Sequence, residues 1–256
     1  MKGLIPAHEW ASAMIRPGDR IYEDQLEELL PSYDFLRCEL RSYIESRGLS
    51  FLGIHCCRPL SPGRYYSEGF APLSDGHARR LIADYGNGQL TAEEIEQIMR
   101  ALDLGYRSDV TMFSVGLPED VDEHSMHYLL IGPEFFCEIT NDRAVQEDLR
   151  LKFGAELARS IPRAIPTIFI VAVPFDAMSD RGKDWVVQQL VVGHLWLGSS
   201  EPKMPKYWGR DMSMECSKIV PPSAIIDHIH PKELADFFYG PRRVVTGHKT
   251  SCDWCK

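Results

Sequence analysis

The run TIFIVAV at residues 167–173, with a proline on either side, constrains the fold of this chain more than any other segment. β-Branched residues crowd it, and Pro166 and Pro174 bound it on both sides. It predicts a strand in the core. Residues 51–55 form a second apolar run just after the breaker Gly48, and residues 110–115 form a third. Residues 213–229 hold one or two final strands around Pro221-Pro222.

Helical signals fill much of the remainder. In residues 21–47, Leu26, Leu29, Leu30, Phe35, Leu36, Leu40, Tyr43 and Ile44 recur at spacings near three and four. Pro31 splits that stretch into two helices, and Gly48 closes the second. Pro62 opens a short helix over 63–68 that ends at Gly69, and residues 75–84 form another closed by glycine. Thr91 with Glu94 three residues on makes a capping box, followed by the apolar face of Ile95, Ile98, Met99 and Leu102. Residues 128–131 read as an apolar run, 134–139 as strand or helix, and 149–159 as helix. The apolar stretch 185–197 fits either a helix or a strand. There is no internal repeat, low-complexity run or obvious linker. The expected class is α+β, one domain with a helical N-terminal extension.

Composition narrows the functions. The 256 residues are 44% hydrophobic and 25% charged, enough for a core without staples. A net charge of -9 argues against non-specific, high-affinity binding to duplex nucleic acid and leaves room for a local basic patch at Arg37, Arg41 and Arg47 or at Lys203, Lys206 and Arg210. No apolar stretch approaches about 18 residues, so no membrane span is expected. His8 and Glu9 interrupt any secretory signal at the N-terminus. Seven cysteines, an odd number without a signal, read as reduced thiols of a cytoplasmic protein.

Two segments carry the side chains with chemical potential. The first is FLGIHCCRPLSPGRYYSEGFAPLS, residues 51–74; the second is SMECSKIVPPSAIIDHIHP, residues 213–231. Splitting NAD at the nicotinamide bond passes through an oxocarbenium-like ribose, which a carboxylate stabilises. A cationic fork suits the pyrophosphate, an aromatic ring suits the nicotinamide, and a further polar group must hold a ribose or the amide. Glu215, Arg58, Tyr128 and His55 match those four jobs. Each also has an ordinary reading: His55 as a buried histidine, Glu215 as a surface acid, Arg58 as an ion-pair partner and Tyr128 as core.

The His-x-x-Arg segment running into Tyr65-Tyr66-Ser-Glu-Gly-Phe resembles the first strand and helix of the ADP-ribosyltransferase superfamily. The stretch from Met214-Glu215-Cys216 to Val220-Pro221-Pro222 and Ile225 is similar to the late part of its DNA-modifying toxins. The resemblance implies a split mixed β-sheet core over residues 51–240, after a helical extension over 1–50 and before a tail over 241–256. It implies NAD as co-substrate and an unknown protein or nucleic-acid acceptor, or water, with a toxin or defence role. It assigns Glu215, His55 and Tyr128 to catalysis, with Phe113 as the other candidate for the middle aromatic. His55, Cys57, Arg58, Tyr65, Tyr66 and Phe113 would contact the dinucleotide. Cys57 stands where the family has Thr or Ser, and Ser213 occupies the position two before Glu215, which argues against the arginine-modifying subclass. A catalytically inactive nucleotide- or partner-binding module of the same fold is the alternative.

A separate motif lies at the C-terminus. His248, Cys252 and Cys255 have zinc-like spacing, and Cys216, His228 or His230 is available as a fourth ligand. The pair His228-x-His230 places both rings on one face of a strand, which suits a metal. A zinc-containing nucleic-acid-binding protein is the third reading. The bland alternative is a tail with two thiols.

Overall fold

The computed structural model describes residues 32–101, 109–116, 118, 129, 164–197, 213–231, 233–236, 243–246 and 252. Helix α1 (Tyr33–Arg47) stops at Gly48, whose left-handed backbone, φ 56°, turns its N–H back onto the Glu45 carbonyl. Strand β1 (Ser50–Cys57) follows, then helices α2 (Gly63–Glu68), α3 (Asp75–Gly86) and α4 (Ala92–Ala101). The capping box before α4 forms as the sequence predicts. The Glu94 N–H donates to Thr91 Oγ1 at 3.2 Å, and the Thr91 N–H donates to Glu94 Oε2 at 2.8 Å.

Next come β2 (Thr111–Val115), β3 (Thr167–Pro174), helix α5 (Asp180–Leu197), β4 (Ser213–Cys216) and β5 (Ile225–Ile229), then β6 (Glu233–Asp236) and β7 (Arg243–Thr246). The ambiguous stretch 185–197 is helical. Val186, Val187, Val191 and Val192 bury one stripe of α5 at helical spacing. The segment with Pro221-Pro222 holds two strands, parted by a 3₁₀ turn at Pro222–Ala224. The runs expected at 21–31, 134–139 and 149–159 lie outside the described residues, as does 128–131 except for the buried Leu129.

Five strands make one sheet in the order β4-β2-β1-β3-β5, and β6 pairs with β7 in a separate two-stranded sheet. The α+β class is therefore present. Where the resemblance implies a mixed sheet, every described pairing is antiparallel. Among the described residues no helix is long and apolar enough to cross a membrane.

Antiparallel register decides which side chains share a face, because successive residues of a strand point to opposite sides. On β3, Phe169 stands opposite His55 of β1 and also opposite His228 of β5. That row belongs to the core face, with Phe113, Val171, Met214 and Cys216 fully buried. Strand β5 carries a bulge: Ile170 pairs with Asp227 and Val171 with Ile225, leaving Ile226 over. Ile225 and His228 are three apart, so a regular strand would send them to opposite faces. The extra residue puts both on the core face and leaves Ile226 exposed.

Helix α2 lies over this face and must stop abruptly. Gly69 has φ 74°, and a Cβ there would overlap the Val220 carbonyl. The glycine thus admits the bridge from Phe70 to Val220, which holds the Phe70 ring in the core. Ile44 of α1 joins the same core, so this helix packs with the sheet. Arg41 of α1 also meets Asp180 and Asp184 of α5 at 2.5 and 2.9 Å. Phe169 touches Tyr65, Tyr66, Phe70 and His228. Phe169→Ala is expected to lower unfolding free energy by about 3–5 kcal/mol, read from urea denaturation.

Candidate metal centre

The side chains expected around NAD separate into two groups. Ile54 pairs with Ser114, Ser114 and Met112 share a face of β2, and Met112 pairs with Glu215. Glu215 therefore projects from the face of Ile54, opposite to that of His55. The imidazole and the carboxylate do not meet across one cleft. His55 Nδ1 donates to the Met112 carbonyl at 3.0 Å, and its ring lies among Tyr65, Phe70 and Phe113. Burial lowers its pKa, and the bond to Met112 only partly offsets this.

Glu215 works at the start of α5. Ser179 Oγ accepts the Gly182 N–H at 3.0 Å, as an N-cap side chain does, and donates to Glu215 Oε1 at 2.7 Å. The Ser179 N–H donates to the Glu215 carbonyl at 2.8 Å, and Arg181 stands 3.9 Å from Oε2. A carboxylate beside a helix N-terminus interacts favourably with the exposed N–H groups. The contact is close because residue 182 is glycine; a Cβ there would overlap the Glu215 carbonyl.

The other expected cofactor contacts are internal. Arg58 is buried and spends its guanidinium on main-chain carbonyls, Nε to Ala164 at 3.2 Å and one terminal nitrogen to Leu129 at 3.4 Å. Cys57 is buried and hydrogen-bonded with Tyr65, and desolvation pushes its thiol pKa up. Phe113 is fully buried. Tyr65 stacks on Phe70 and Phe169. Tyr128, His248 and Cys255 lie outside the described residues.

A different set does converge. His228, His230 and Cys252 each offer a ligand atom, and these atoms all lie within 4.8 Å of one another. The bulged register of β5 turns His228 inward, and His230, two positions on, follows the same parity. The outer nitrogen of each ring is already held. Tyr66 Oη lies 2.7 Å from His228 Nδ1. His230 Nδ1 lies 2.9 Å from the Pro166 carbonyl, which only accepts, so Nδ1 carries the hydrogen and Nε2 the lone pair. Thr167 Oγ1, 3.3 Å away, cannot reverse this, since its own hydrogen goes to the Ile165 carbonyl.

His230 Nε2 is thus a buried acceptor without a hydrogen-bond partner among the described residues. An unsatisfied buried lone pair is costly and calls for a donor or a cation. Cys252 is buried too, with Sγ 3.5 Å from His228 Nε2. Burial, then the neighbouring His230, lowers the pKa of His228, which favours the neutral imidazole that binds metals. Imidazoles fixed through their outer nitrogens, with inner nitrogens facing a thiol, form a ready metal-ligand set.

Sequence spacing exposed both halves of this cluster, the His-x-His pair and the C-terminal cysteine. The roles of Tyr66 and Pro166 as holding groups had no sequence signal, since Tyr66 meets His228 through packing of α2 on the sheet and Pro166 meets His230 beside the β3–β5 pairing. Comparison with protein-family models, with curated proteins and with solved structures returned no match to this chain.

His55 contributes a pH dependence to stability. Its folded pKa lies below the ordinary 6.5, so the folded state binds fewer protons than the unfolded chain wherever the two differ. Its contribution is intact above about 6.5 and is lost as pH falls through 6.5 toward the lowered folded value. Unfolding free energy of chelator-treated protein is expected to fall below that pH, with a shallower slope in His55→Phe, measured by urea titration across pH.

Proposed function

We propose that this chain is a zinc-binding protein whose ion ties the C-terminal segment to the end of β5. The observation that carries this reading is the buried, unpartnered Nε2 of His230 facing His228 and Cys252. Two imidazoles and a thiolate suit zinc and not magnesium or calcium, which take oxygen ligands. His228 and Cys252 are only 7% and 9% exposed, so an ion between them is shielded from water, as structural zinc is. Cys255 follows Cys252 at the spacing of paired zinc thiolates and is the sequence's candidate for the fourth position. Binding releases the Cys252 proton, so affinity is expected to weaken in acid.

Metal analysis of full-length protein, loaded with zinc and dialysed, is expected to give near one zinc per chain. His230→Ala and Cys252→Ser are each expected to lose most of it. Cobalt substituted for zinc is expected to show a thiolate charge-transfer band that disappears in Cys252→Ser. Loaded wild-type protein that retains no stoichiometric zinc overturns the reading.

An NAD-consuming activity rests on the resemblance of two segments and needs His55 and Glu215 at one ribose. The cross-strand register lends it no support. Incubation with NAD is expected to release nicotinamide no faster than a blank. Release that Glu215→Gln abolishes would restore that reading.

A further inference from the structure

We infer that metal occupancy governs folding of the β6–β7 hairpin, so that the ion acts as a conformational switch for that element. The inference rests on the zinc-binding reading above. The ligands bracket the hairpin along the chain. Glu233 opens β6 three positions after His230, and Cys252 lies six positions after Thr246, the last residue of β7. A metal joining His228 and His230 to Cys252 therefore closes a loop whose content is the hairpin, and it does so at the hairpin's base.

Among the described residues the hairpin makes no strand pairing beyond its own. Its register runs from Glu233 opposite Thr246 to Asp236 opposite Arg243, and neither strand pairs with the five-stranded sheet. A lone two-stranded hairpin is marginal in water. Loop closure by a cross-link removes chain entropy from the open state, which is the stabilisation such an element lacks. Without the ion, Cys252 meets β5 among the described residues through a long sulfur–nitrogen approach of 3.5 Å, and His230 Nε2 has no hydrogen-bond partner there. With it, all three ligand atoms gain a bond. The pairings of β1 with β2 and β3 involve none of the three ligands, so that part of the main sheet lies apart from the switch.

Hydrogen exchange of the full chain, zinc-loaded and then treated with EDTA, tests this. Peptides spanning 233–246 are expected to exchange at least about tenfold faster after chelation, while peptides in β1 and β3 keep their protection. Cys252→Ser with zinc present is expected to reproduce the chelated pattern. Cys38→Ser, at an exposed site in α1, is expected to leave the pattern unchanged. Bound zinc with equal hairpin exchange in both states overturns the switch and leaves the zinc site standing. Uniform loss of protection across the main sheet also overturns it, since the ion would then hold the whole fold. Absence of zinc binding removes both conclusions.

Discussion

Strand β3 is hydrogen-bonded on both sides, and its pleat decides what the neighbouring strands present to the core. Phe169 sets the row in which His55 and His228 lie. The bulge at Ile226 is the adjustment that keeps this row compatible with Ile225 at the other end of β5. Shift the pairing by one residue and Asp227 would turn into an aromatic core while His228 turned out to solvent. Burying that carboxylate without a partner would be far more costly than exposing an isoleucine. The position of the candidate metal ligands is thus a consequence of strand parity.

The same parity separates Glu215 from His55 and gives each a local task. Glu215 steadies the capping serine of α5, and glycine at 182 lets that helix sit against β4. His55 fills a ring-lined space and satisfies a β2 carbonyl. The surface ion pairs from Arg41 and Lys183 join α1 to α5, but partly exposed pairs of this kind contribute little each. Packing of Ile44 into the common core matters more to that junction.

Local rules made the element boundaries legible. Gly48, Gly69, the Thr91–Glu94 box and the prolines around β3 act within a few residues, so sequence alone exposes them. The cross-strand partners of His55 and Glu215 were not legible, because register depends on loops and bulges far along the chain. Spacing alone placed both residues at strand ends and left open which way each pointed. Arg58 shows the same limit. An arginine after a strand reads equally well as a phosphate ligand or as a buried fork for carbonyls, and burial by Ala164 and Leu129 decides between them. The metal cluster stood between these extremes: its two halves were visible, and their convergence was not.

Arg58 has a consequence for how the molecule comes apart. Its guanidinium keeps its charge at any ordinary pH, and it sits beneath carbonyls from two distant stretches of chain, while its own carbonyl accepts the Tyr85 hydroxyl. Removing either stretch would cost the buried cation one of its carbonyl acceptors. Opening the chain at Ala164 or at Leu129 therefore weakens the hold on Arg58, so the two contacts favour each other's persistence.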